Sequence, residues 1–192
     1  GQDVAYGYID ELTSGLKARQ RARREKESEE YAKEHPVLAS VWSVVSSPMK
    51  VLSYTGQLAD YLSTGTVDEN AGYNRFVYEN NAIRNEVSST VQEKWGSVGS
   101  YSYDIGMSMA DFLYTTAISG GTEWLTLAIM GSSAAADTTI AAKDRGLSDD
   151  QAFLLGTIAG TAEAAMEKIG LDALFDTKTL NKSAVGYIFK NA

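Results

Sequence analysis

Val4, Tyr8, Ile9, Leu12 and Leu16 recur at steps of three to five, which is one stripe of an amphipathic helix. From residue 17 the stripe gives way to "KARQRARREKESEEYAKE", with basic residues first, acidic ones after, and opposite charges three or four apart. The pattern predicts one long helix whose second half is solvated. Because residues 17–33 lack an apolar stripe, they are expected to project from the domain, where a second copy could pair with them. His35-Pro36 ends this element, since the residue before a proline leaves the helical region.

The following run, "PVLASVWSVVSSPMKVLSYTGQLADYLSTG", reads as an apolar helix to about Leu62, kinked or split at Pro48. "STGTVDENAGYN" is a loop by composition. Phe76, Ile83, Val87, Val91 and Trp95 mark the next helix, and "GSVGSYSYD" reads as a second loop. Residues 105–142 are poor in charge and are divided by Gly120-Gly121, with Thr122 placed to cap the helix that follows. "KDRGLSDDQ" is a turn. In it Gly146 suits a helix C-cap, Ser148 and Gln151 have the spacing of a capping box, and Asp149 and Asp150 favour the positive helix end. The last core helix is expected to close at Gly170, with a short amphipathic helix over 179–189. With few alternating β-branched runs, these elements predict an all-α, compact bundle of about six to eight helices. The implied division is a charged N-terminal helix over 1–35, a helical core domain over 36–175, and a short C-terminal helix over 176–192, cut from a longer protein.

Gly156, Gly160, Glu163, Glu167 and Gly170 share one face of their helix, and Gly156 with Gly160 forms G-x-x-x-G. Each glycine lowers helix propensity by about 1 kcal/mol relative to alanine, which close backbone packing offsets. "GSSAAAD", residues 131–137, is equally small and is the expected facing surface. Gly131, Ala135, Gly156, Gly160 and Ala164 are therefore the candidate packing residues of a tight Gly/Ala-rich hairpin. A membrane-spanning hairpin would need about 20 mostly apolar residues. Asp111, Glu123, Asp137, Glu163 and Glu167 interrupt every such window, and these five carboxylates are also the candidate polar or functional residues.

Charge and composition narrow the chemistry further. The net charge of −8 opposes general nucleic-acid binding, so Arg19, Arg21, Arg23 and Arg24 are a candidate basic patch flanked by a run of glutamates. There is no cysteine, which removes thiolate zinc sites and thiol nucleophiles. One histidine, His35, excludes the paired Glu-x-x-His motifs of a di-iron bundle and leaves a serine triad only one badly placed base. No phosphate-binding glycine motif and no secretory signal is legible. No catalytic residue, cofactor or metal is expected. Glu163 is read as an acceptor between helices, and Glu167 as a surface partner of Lys168 or Arg145.

The segments "HPVLASVWSVVSSPMKVLSYTGQLADYL", "NNAIRNEV", "YDIGMSMADFLYTTAISGG" and "MGSSAAADTTIAAKDRGLSDDQAFLLGTIAGTAEAAMEKIGLDALF" resemble an uncharacterised helical region of very large multidomain proteins. Those proteins belong to phages and integrative elements of gut Firmicutes, and elsewhere carry minor-capsid, methylase-helicase or polyvalent-protein modules. The resemblance spans about residues 36–175 and rests most on "GMSMAD" and "RGLSDDQA". It implies a piece of a large phage- or mobile-element protein, in the bacterial cytoplasm or the phage particle, and it brings no catalytic residue with it.

Three functions follow as expectations. The first is a non-enzymatic structural or interaction module, with other segments of its parent protein or a second copy as partner. The second is a membrane-active module that assists DNA delivery. The third is a glutamate-dependent hydrolase.

Overall fold

The computed structural model describes residues 2–120 and 122–175, with side chains described except at 2–6, 8, 124 and 169–175. Helix α1 runs Gln2–Glu34 and stops where His35 takes a non-helical conformation before Pro36. Pro36 is the first residue of α2, Pro36–Ser46, where its missing N–H costs nothing. Pro48 sits in a 3-10 turn, Ser47–Met49, and α3 follows as Lys50–Thr64. Gly65 closes α3 with φ 69°, in the left-handed region that glycine enters without strain. A short 3-10 turn, Gly72–Asn74, leads into α4, Arg75–Ile118. Gly120, with φ 64°, separates α4 from α5, Glu123–Asp144. Gly146 then turns the chain into α6, Asp149–Phe175. The start of α6 is fastened reciprocally: the Ser148 N–H donates to Gln151 Oε1 (3.2 Å), and the Gln151 N–H donates to Ser148 Oγ (3.3 Å).

The described residues form an all-α helical bundle with no strand among them. Three details qualify the sequence expectation. First, residues 96–104 are not a loop. Only Gly96 leaves helical geometry (φ 74°, ψ −172°), so α4 is two helical stretches joined by a kink at that residue. The serines that suggested a loop instead return their hydroxyls to carbonyls of their own helix, Ser100 to Ser97 (3.1 Å) and Ser102 to Val98 (2.8 Å). Second, Gly170 does not end α6, which continues to Phe175. Third, the described α-helices number six, at the low end of the expected count, and the segment 179–189 lies outside the described residues.

α5 and α6 pack antiparallel along most of their length, α3 lies on α5, and α4 is clasped by α1 and α2. Two small apolar clusters hold these layers. Ala32, Ala39, Ile83 and Val87 join α1, α2 and α4. Val77, Ala136 and Ile140 join α4 to α5, with Tyr54 of α3 beside them.

The expected projection of residues 17–33 is overturned. Arg21, Arg24, Glu25, Ser28 and Ala32 recur at three- and four-residue steps and turn inward, with Ala32 only 1% exposed. The docking stripe is charged, so an apolar periodicity could not reveal it. The apolar stripe of the first half does the opposite, since Ile9, Leu12 and Leu16 are all more than half exposed.

Candidate functional site

The hairpin brings the small residues together at backbone distance. A Cβ placed on Gly131 would lie 2.8 Å from the Gly160 carbonyl oxygen and 3.2 Å from Ala164 Cβ. One on Gly160 would strike the Gly131 oxygen and come within 2.8 Å of Ala135 Cβ. One on Gly156 would strike Thr139 Oγ1 and lie 2.7 Å from the Ala135 oxygen. Thr139 spends its own hydroxyl on that same oxygen (2.8 Å). Residues Leu125–Asp144 of α5 have the length and mean hydropathy of a spanning helix, but α3, α4 and α6 cover much of that window.

The five carboxylates do not form one site. Asp137 accepts from Lys50 Nζ at 2.7 Å, and the Lys50 side chain is only 4% exposed. Asp111 accepts from Arg84 Nη2 at 2.7 Å, while Arg84 Nε donates to Ser43 Oγ at 2.6 Å. Glu123 accepts from Lys168 at 2.7 Å, so Lys168 reaches across the hairpin. Glu163 and Glu167 lie one turn apart on α6. Burial first, and then the Glu163 charge, raises the Glu167 carboxyl above the ordinary glutamate range. Among the described residues no group of three acidic or histidine side chains converges as a metal site.

The three ion pairs cross between elements and serve as struts. Lys50–Asp137 and Arg84–Asp111 are largely buried, and removing one member there leaves the other charge unmatched, at about 3 kcal/mol or more, whereas the exposed Lys168–Glu123 pair contributes about 1 kcal/mol or less. Between the struts the interior is unusually polar. Gln57 Nε2 donates to Asn74 Oδ1 (2.9 Å) and Asn80 Nδ2 donates to the Ser43 carbonyl (2.6 Å), with Ser53 and Thr115 also buried. Lys50, Gln57, Asn74, Asn80 and Arg84 were not singled out as functional residues by sequence. Lys50 carried a signal all the same, as a lone cation two residues after Pro48 in a long uncharged run.

The four candidate arginines diverge. Arg19 is exposed. Arg21 reaches Asp144 with both Nη groups (3.0 and 2.7 Å) and Glu25 with Nε (3.0 Å), and it lies 5.5 Å from the centre of the Tyr78 ring. Arg23 pairs with Glu27 at 2.7 Å. Arg24 meets Glu79 at 3.3 Å. A uniform basic stripe is therefore absent among these four. Arg23 and Arg24 do, however, border a cleft of about 620 Å³ between α1, α2 and α4, which Tyr31, Trp42, Arg75, Glu79 and Ile83 also line.

No family model, curated protein or solved structure matches the chain.

Proposed function

We propose that the chain is a non-enzymatic helical interaction module of a larger phage- or mobile-element-encoded protein, with its outer apolar faces covered by other segments of that parent. The observation that carries this reading is the direction of the polar and apolar faces. In α2, Ser43 and Ser46 turn inward, while Val37 (75% exposed), Leu38, Val41 and Trp42 turn out. The second half of α4 repeats the arrangement, with Asp111 and Thr115 inside and Val98, Tyr101, Met109 and Leu113 outside. Outward apolar faces of this kind are the usual mark of an interaction surface. The carboxylates support the non-enzymatic side of the reading, because Asp111, Asp137 and Glu123 are each committed to a cation.

The membrane-active reading draws on the same outward faces, so one experiment separates the two. The chain is co-expressed with its flanking parent segments and, separately, sedimented with neutral and anionic liposomes at neutral and acidic pH. The proposal expects co-purification with the flanking segments, loss of it in Val41→Glu, and a chain that stays in the supernatant with every liposome. Salt-resistant sedimentation with liposomes, combined with indifference to Val41→Glu in co-purification, would replace it by the membrane reading.

A further inference from the structure

The cleft between α1, α2 and α4 shares Trp42 with the outward face of α2 and adds features that the interaction-module reading does not use. Its walls include Tyr31 and Trp42, which stay 43% and 50% exposed, and Ile83, only 3% exposed, lies at its base. The Tyr31 ring is steadied by His35, with ring centres 5.2 Å apart. Flat, half-open aromatic surfaces over an apolar floor suit a planar ring.

The charge at the same cleft is unbalanced. Arg24 Nη1 and Arg75 Nε donate to one and the same oxygen, Glu79 Oε1, at 3.3 and 2.8 Å. Two guanidinium groups thus share a single carboxylate. Arg23, at the same cleft, is matched one for one by Glu27. An excess positive charge results, and it stands out in a chain whose net charge is −8. The bond to Glu79 uses only one donor of the Arg75 fork, whose planar array fits a phosphate. Half of the Arg75 side chain remains exposed to receive one.

We propose that this cleft binds a nucleoside monophosphate, with the base laid against Trp42 and Tyr31 and the phosphate on Arg75 and Arg24. The volume of about 620 Å³ falls within the range of small-molecule sites and suits one nucleotide. A long strand is disfavoured, because each further phosphate approaches an acidic chain. Gln20 and Ser28 line the same cleft and supply neutral hydrogen-bonding groups for the sugar and base edges.

The test is isothermal titration of the whole chain with AMP, with adenosine, ribose 5-phosphate and a short single-stranded oligonucleotide as comparison ligands at the same salt. The expected result is saturable AMP binding, with adenosine and ribose 5-phosphate each weaker by about tenfold or more, since each lacks one of the two recognised groups. Arg75→Gln and Trp42→Ala should each weaken AMP by about tenfold, and Trp42→Phe should preserve it. Arg23→Gln alters a side chain that is 81% exposed, so it cannot unfold the chain, and it should weaken AMP by about twofold through lost charge. Far-UV circular dichroism and Tm confirm that each variant is folded. Absence of saturable AMP binding, or equal binding by folded Arg75→Gln and the parent chain, overturns the proposal. An oligonucleotide that binds more tightly than AMP also overturns it, in favour of strand binding.

Discussion

Two seams of the molecule are built on opposite physical terms. Between α5 and α6 the helices touch through Gly131, Gly156, Gly160, Ala135 and Ala164, and the contact is backbone against backbone. Between α1 and α4 the contact is mostly ionic: Arg24 meets Glu79 and Lys33 approaches Glu86, while nearby Arg21 ties α1 to Asp144 at the end of α5. One buried alanine, Ala32, marks the closest apolar approach on that side. The middle of the first seam depends on the absence of volume, with ion pairs only towards its ends, Lys168–Glu123 and Lys143–Asp149. The second depends on charge and tolerates volume along its open edges. Tight docking of a helix therefore needs no apolar stripe, and an apolar stripe such as Ile9, Leu12 and Leu16 does not guarantee docking.

The sharpest way to break the comparison is to add volume to the first seam. Gly160→Leu should cost about 3 kcal/mol, roughly 10 °C in Tm, because the obstructing groups are the Gly131 oxygen and Ala135 Cβ, which cannot rotate away. Gly106→Ala is the control. Gly106 has open space around its Cβ position and a helical neighbourhood, so this change should be neutral or stabilising by about 0.5 kcal/mol. Thermal unfolding of both variants decides whether the hairpin is sterically closed. A Gly160→Leu chain as stable as the parent would show that it is not.

In the second seam, Arg21→Ala should cost about 1.5 kcal/mol, as it deletes charge-assisted bonds to Asp144 and Glu25 from a side chain that is only 13% exposed. Substitution of Arg23, whose partner Glu27 lies on its own helix, should change stability by no more than about 0.5 kcal/mol. Chemical denaturation distinguishes the two.

Salt should then separate the seams without mutation. Raising ionic strength from about 0.1 to 1 M shortens the screening length from about 10 to 3 Å. Amide exchange in residues 21–34 should accelerate by severalfold, while that in 131–142 and 152–165 stays unchanged. Equal acceleration in both would mean that α1 and the hairpin open as one unit.

The smallest effect concerns Glu167. Its carboxyl is raised by burial and by Glu163, so the folded state holds that proton more tightly than the unfolded state does. Its contribution to stability is present below the unfolded pKa and is lost as pH rises through the folded one. Glu167→Gln should therefore stabilise at pH 7 by about 0.3 kcal/mol, the size of a like-charge pair one turn apart, and should do nothing at pH 4. Matched Tm measurements at the two pH values check the sign.

Much of the fold was legible because its punctuation is local. Pro36, Pro48, Gly65, Gly120, Gly146 and the Ser148/Gln151 box each act within a few residues, through a missing N–H, a positive φ or a short side-chain bond. At Gly96 the loop expectation holds for one residue, which leaves helical geometry while the chain is helical on either side of it, and at Gly170 helix α6 continues to Phe175. The candidate sites were less legible. Asp111, Asp137 and Glu123 stood out as charges in apolar text, but nothing nearby in sequence identified Arg84, Lys50 or Lys168 as their partners.

The sequence by itself determined most helix boundaries, those marked by proline, glycine or a capping box, and that the described chain is all-α, because these are properties of neighbouring residues. The tertiary structure decided which face of α1 docks, which cation meets each carboxylate, and that Tyr31, Trp42 and Arg75 border one cleft. Arg84 and Asp111 lie 27 residues apart, and Arg21 and Asp144 lie 123 apart. Coulomb attraction and steric fit act through space, and no periodicity along the chain records which distant groups they will bring together.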